Sequence, residues 1–228
     1  MKTMKTGFLA VLFLAALVPA ARAQGTLSGR VTFEGAAPAV ETTDVKLDSA
    51  VCGEHKAVPK IILGEKGGVA NAVVRILGLK GTAAPAKGDL DQVHCEFVPH
   101  VQALPTGSTL VITSSDSVLH NTHAFNEAKG TVFNVAVPIP GAEVKRKLDK
   151  PGVLKLRCDA GHTWMSAYVV VSDEPFAVTD ANGNFTIENL PAGRYEAEVW
   201  QEWLGKSTRT VEIKEGSNET AFVLKENR

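Results

Sequence analysis

Cys158, His162 and Met165 place a thiol, an imidazole and a thioether in one short loop, separated only by Asp159-Ala160-Gly161 and Thr163-Trp164. Two imidazoles, a thiolate and a weak axial thioether are the donors of copper sites that pass single electrons. One loop cannot surround an ion on an unstrained backbone, so the second imidazole has to come from another strand. His120 is the leading candidate, because the turn-rich run Ser114-Ser115-Asp116-Ser117-Val118-Leu119 leads from an apolar stretch into an extended one at that residue. Asn121 beside it is placed to hydrogen-bond across the site and tie the two ligand segments together. Cys-His-His also suits tetrahedral zinc, but the added thioether turns the expectation towards one copper ion per chain, cycling between Cu(I) and Cu(II). His100 and His123 stay open: each could replace Met165, lie behind the ligands, or form a separate metal site. In a strand, His123 faces the side opposite to His120.

The elements that position these residues read as β-structure. Val153-Leu154-Lys155-Leu156-Arg157-Cys158 alternates, which puts Leu154, Leu156 and Cys158 on one face and turns Cys158 inward at the strand's end. Runs rich in Val, Ile, Thr and Phe recur about every eight to twelve residues between Gly, Pro, Asn and Asp, a pattern that predicts sandwiches or small barrels. Strands are expected at 26–33, 69–77, 95–103, 109–113, 131–137, 153–158, 167–171, 184–187, 195–200 and 208–213. A short helical turn is expected at Ala86–Gln92, and no long stretch keeps a 3.6-residue apolar period. Five of the six histidines, with Cys95 and Cys158, fall between 88 and 172. Pro85-Ala86-Lys87-Gly88 and Asp173-Glu174-Pro175 interrupt pairing on either side. The expected division is therefore 1–23, 24–87, 88–172 and 173–228, with the metal ligands in the third part.

Residues 1–23 carry Lys2 and Lys5, an apolar run from Gly7 to Val18, and Ala21-Arg22-Ala23, the three parts of a cleavable secretory signal. The mature chain is expected to begin at Gln24, to be periplasmic or secreted, and to contain no membrane span. Removing Lys2, Lys5 and Arg22 leaves 21 basic and 25 acidic residues. Such a balance gives no polycationic surface, and nucleic-acid binding is excluded on that ground. Nucleophile elbows, zinc-protease motifs, phosphate loops and the Cys-x-x-Cys-His of c-type haem are missing from the sequence, so the chain is not read as an enzyme.

The run from Gly107 through His120-Asn121, followed by a late Cys-loop-His-loop-Met, resembles the cupredoxins, the class of plastocyanin and azurin. The resemblance covers roughly residues 88–172. It implies a Greek-key β-sandwich holding one copper, with His120 and His162 as imidazole ligands, Cys158 as the equatorial thiolate and Met165 as the axial ligand. The loop is shorter than the familiar ones, with only two residues between His162 and Met165. Phe176 through Tyr195, with turns at Asn182-Gly183 and Pro191-Ala192-Gly193, resembles the carboxypeptidase regulatory-like, transthyretin-like β-sandwich. Thr26–Phe33 and Asn71–Ile76 look like that fold's opening strands. The expected fold is all-β: a cupredoxin-like sandwich inserted in, or flanked by, a second regulatory-like sandwich.

With Cys158 assigned to metal, Cys52 and Cys95 remain, and export makes their pairing the economical account. Such a bond closes a loop of about 40 residues and constrains the unfolded chain by roughly 3–4 kcal/mol. Cys52-Gly53-Glu54-His55 is the competing reading, a metal half-site. Asp180, Asn182 and Asn184 read as a structural turn rather than a calcium loop, because Pro191 stands where a bidentate Glu is needed. Functionally, the leading expectation is one-electron transfer to a periplasmic redox protein or enzyme, with an exposed His162 edge as the electron exit. A copper chaperone or resistance protein that also uses His94, His100 and His123 is the alternative, and a scaffold without metal is the third reading.

Overall fold

A computed structural model describes residues 24–226. The expected signal segment lies outside the described residues. The first stretch comprises β1 (Gln24–Phe33), β2 (Glu41–Asp44), the single helical turn α1 (Ser49–Cys52), β3 (His55–Val58) and β4 (Val73–Leu77). The middle comprises β5 (Lys87–Val93), β6 (Glu96–Val98), β7 (Val101–Pro105), β8 (Ser108–Ile112), β9 (His120–Phe125), β10 (Thr131–Val137), β11 (Val144–Leu148), β12 (Gly152–Arg157) and β13 (Ser166–Ser172). The last stretch comprises β14 (Phe176–Val178), β15 (Asn184–Pro191), β16 (Gly193–Gln201), β17 (Gly205–Ile213) and β18 (Gly216–Leu224).

Among the described residues, the middle strands pair only with one another, in a five-stranded sheet β10-β9-β12-β13-β7 and a four-stranded sheet β11-β8-β5-β6. Their inner faces meet in one core, where Leu90, Leu110 and Ile112 of one sheet pack with Ala124, Leu154, Leu156 and Val169 of the other. Strands from the two ends of the chain combine: β1 lies between β15 and β18, and β4 pairs with β14 and β16 in the sheet β14-β4-β16-β17. Their core is separate and includes Leu27, Val31, Val74, Ile76, Phe185, Val199 and Phe222. A third cluster, Val73, Val101, Val153, Val170 and Trp200, joins the two bodies. This joint explains the unbroken apolar run of β13: Val169 and Val171 face the middle core while Val170 faces the joint.

Two expectations from sequence fail. Ala86–Gln92 is not helical; it lies largely in β5, where Gly88, Leu90 and Gln92 alternate inward and the strand pairs in parallel with β8. Period-two burial against a partner strand outweighs a short local preference. The expected strand 95–103 is broken into β6 and β7, in different sheets, around Pro99, which has no N–H for a ladder. The polar strands β2, β3, β11 and β18 gave no alternating signal, and β18 buries only Phe222 and Leu224 of its large apolar side chains.

Topology fixes where the candidate ligand residues converge. β9 and β12 run antiparallel with His123 opposite Arg157, so the start of β9 and the end of β12 fall at the same edge of the sheet. His120 opens β9, Cys158 follows β12, and Met165 immediately precedes β13.

Leu156 is fully buried between the sheets, whereas Ile139 is 65% exposed. Leu156→Ala is expected to destabilise the chain by about 2–5 kcal/mol. Ile139→Ala is expected to stay within about 0.5 kcal/mol. Urea unfolding of both variants checks this division between core and surface.

Candidate metal centre

Cys158 follows β12, is 3% exposed and is the free cysteine of the chain. Its sulfur lies 3.9 Å from His120 Nδ1 and 3.7 Å from His162 Nδ1. Both imidazoles are fully buried, and their ring centroids are 4.7 Å apart. The opposite edge of each ring meets a carboxylate: His120 Nε2 is 2.9 Å from Asp116 Oδ2, and His162 Nε2 is 3.0 Å from Asp48 Oδ2.

These contacts place the protons. A carboxylate only accepts hydrogen bonds, so each Nε2 carries a hydrogen and each ring turns its Nδ1 edge towards the Cys158 sulfur. Burial lowers the His120 pKa below 6.5, against the pull of Asp116, and keeps that ring neutral. Burial alone would raise Asp116, but the Cys95 N–H, the His120 ring and the His94 N–H together hold its carboxyl below the ordinary value. Burial likewise pushes the Cys158 thiol up, while the backbone N–H groups of Asn121, Ala160 and His162 favour its thiolate.

The donor set fits a single ion. Two donors bonded to one ion at about 2.0–2.3 Å, with angles of about 110–130°, lie roughly 3.6–3.9 Å apart. The two sulfur-to-nitrogen separations fall in that range. His120, Cys158 and His162 form one compact buried cluster with ligand atoms within 4.8 Å of one another. Met165 is 2% exposed, packs in the same core as Cys158, and donates its N–H to the His162 carbonyl at 3.0 Å.

Asn121 spans the two ligand segments, its side-chain oxygen accepting the Asp159 N–H. His123 points away, to Asp159 Oδ2 at 2.6 Å and Thr131 Oγ1 at 2.8 Å. His100 also stands apart, with Nδ1 donating to the Ser166 carbonyl at 3.0 Å and Nε2 to Glu202 Oε1. It borders a cleft of about 150 Å³ that Trp164 and Met165 also line. Cys52 and Cys95 are joined in a disulfide, and His55 turns outward to Asp44 at 3.0 Å. The Cys-x-x-His half-site is thereby corrected: oxidation consumes its sulfur, and its imidazole is on the surface.

The expected exposed edge of His162 is a second correction. That ring is covered by Asp48, which precedes α1, and by Trp164, whose centroid is 5.4 Å away. Gly161 permits the close cover: its φ is +97°, and a β-carbon there would stand 2.9 Å from Leu47 Cδ2. Sequence reading missed both orienting carboxylates. Asp116 lay in plain view four residues before His120, but Asp48, 114 residues from His162, left no local signal.

A family model described as polysaccharide lyase family 4, domain II matches residues 176–221. This is the segment in which the sequence resembled a carboxypeptidase regulatory-like sandwich; nothing in the comparisons supports that resemblance. No curated protein matches the chain. Among solved structures, the chain is similar to a purple cupredoxin from Nitrosopumilus maritimus, with 23% identity, 37% of this chain and 99% of that one covered, and a TM-score of 0.33. It is similar to the copper-containing nitrite reductase of Thermus scotoductus at 20% identity, covering 42% of this chain and 24% of that one, with a TM-score of 0.32. An amicyanin mutant in its reduced state aligns at 15% identity over 43% of this chain and 98% of its own, with a TM-score of 0.34.

His120 and Asp116 both bind protons more weakly folded than unfolded. Their contribution is therefore complete above the unfolded pKa values and is lost as pH falls through the folded ones. The metal-free protein is expected to lose stability as pH drops below about 6.5, with a further loss below about 4. Burial alone would lower the His100 pKa, but Glu202 raises it, so its contribution is lost only as pH climbs above 6.5. Urea midpoints measured from pH 8 to pH 4 check both arms; a flat profile between pH 7 and pH 5 contradicts the assignment of His120.

Proposed function

We propose that this chain is an exported protein that holds one copper ion on His120, Cys158 and His162, with Met165 as the weak fourth donor. The observation carrying the reading is the pair of short separations from the Cys158 sulfur to the two imidazole Nδ1 atoms. A thiolate with a nearby thioether favours copper over zinc, which is met more often with harder or all-thiolate sets. When bound, the ion supplies one-electron chemistry between Cu(I) and Cu(II). The chain's own residues do the rest: two carboxylates fix the imidazole tautomers, backbone N–H groups steady the thiolate, and the packed core excludes water. Bond-making chemistry on a substrate forms no part of the reading.

Burial of both imidazoles favours capture and retention of the ion as its principal task. No ligand edge reaches the surface to pass an electron directly, and release requires the cover over His162 to open. One-electron transfer is the second reading, supported by donors already spaced for an ion and held from behind, so that a change of oxidation state needs little rearrangement. In either reading, residues 88–172 are the copper unit, set between 24–87 and 173–228, and the working compartment is the periplasm or the cell exterior. A periplasmic protein that receives copper or an electron is the implied partner.

The mature chain loaded with Cu(II) is expected to retain one copper and to show an intense thiolate-to-copper charge-transfer band. Cys158→Ser is expected to abolish the band, and His162→Gly to weaken copper retention at least about tenfold, or about 1.4 kcal/mol. Colourless retention of one zinc, or a band that survives Cys158→Ser, contradicts the proposal. Electron self-exchange of the loaded protein separates the two readings: slow exchange supports retention, and fast exchange supports electron transfer.

A further inference from the structure

The two aspartates that orient the imidazoles are tied to the two ends of the disulfide, one by its backbone and one by its carboxylate. The Cys52 N–H donates to the Asp48 carbonyl at 2.9 Å, and the Cys95 N–H donates to Asp116 Oδ2 at 2.7 Å. Cys52 and Cys95, bonded to each other, are 4% and 0% exposed and belong to the same core as Cys158. Both of their sulfurs lie within 4.8 Å of a His162 nitrogen. The Cys95 sulfur also lies within 4.8 Å of an Asp116 oxygen and a His120 nitrogen. The metal centre is therefore backed by two further sulfur atoms that the bond between them keeps from acting as ligands, since the thiolate is the ligand form.

We propose that, once reduced, Cys52 and Cys95 form a second, two-thiolate site for Cu(I) beside His162, immediately behind the first. The proposal rests on copper being the ion this protein holds. A dithiol reductant breaks the sulfur–sulfur bond and supplies two electrons and two protons, leaving as its own disulfide. Cu(I) then displaces one proton from each thiol, and no electron moves in that step. Two thiolates suffice to hold a soft monovalent ion, so His162 keeps its Nε2–H on Asp48 and its Nδ1 for the first site. The route to the sulfur is short, because α1 is a single turn with Ser49 and Ala50 exposed and opens without breaking either sheet of the middle body.

The test titrates the full mature chain with Cu(I) against a chromophoric Cu(I) chelator. Samples are compared with the disulfide intact and after dithiol reduction followed by anaerobic removal of the reductant. Wild type is expected to gain roughly one further Cu(I) on reduction. Cys158→Ser, which disables the first site, is expected to take up Cu(I) only when reduced. The Cys52→Ser/Cys95→Ser double variant is expected to gain nothing from the same treatment. Failure of reduced Cys158→Ser to bind Cu(I) overturns the proposal, as does an equal gain in the double-serine chain. Oxidised wild type that binds no copper, beside a reduced Cys158→Ser that does, refutes the proposed function and upholds the second site. Circular dichroism on every sample separates a lost ligand from a lost fold.

Discussion

Two imidazoles and a thiol inside an apolar core are tolerable only if the ring N–H groups have partners, and the structure meets that demand at both Nε2 atoms with Asp116 and Asp48. An unpaired buried polar group costs about 1–3 kcal/mol. Fixing Nε2–H on a carboxylate also decides which nitrogen is free, so the same bonds that make burial bearable turn both Nδ1 atoms towards Cys158. Stability and the orientation of the three donor atoms thus depend on one arrangement.

Much of the surrounding chain serves that arrangement. β9 and β12 bring His120 and Cys158 to one sheet edge, and Asn121 bridges to the loop after Cys158. Asp116 is itself held by the N–H groups of His94 and Cys95, both 2.7 Å away. Trp164 donates its indole N–H to the Cys95 carbonyl at 2.9 Å. The disulfide fastens the segment carrying Asp48 to the one carrying Cys95, and Lys56 of β3 adds an ion pair to Glu96 at 2.9 Å. A loop of this length constrains the unfolded chain by about 3–4 kcal/mol. In this chain the constraint acts where His162 needs its cover.

How much of this was legible in the sequence follows from the range of each interaction. Cys158, His162 and Met165 advertise themselves because they share one loop, and β12 is readable because Leu154, Leu156 and Cys158 alternate with Lys155 and Arg157. The Cys52–Cys95 bond followed from cysteine arithmetic once Cys158 was set aside. What stayed hidden is long-range or polar. Asp48 reaches His162 only through the folded chain, and the burial of His162 depends on Leu47 and Asp48 arriving from a distant hairpin. β5 hid behind a sequence of Lys, Gly and Asp whose inward set becomes visible only beside β8. The parallel pairing of β1 with β18 joins the two ends of the chain and left no local trace.

The central claim is that one ion is shared by the Cys158 sulfur and the two Nδ1 atoms. X-ray absorption at the copper edge, on the mature protein with its disulfide intact, tests it most directly. The account predicts two imidazole nitrogens and a single short sulfur around each copper, with the short sulfur replaced in Cys158→Ser. A shell of nitrogen and oxygen alone, or one with two or more short sulfurs in the oxidised chain, would contradict it.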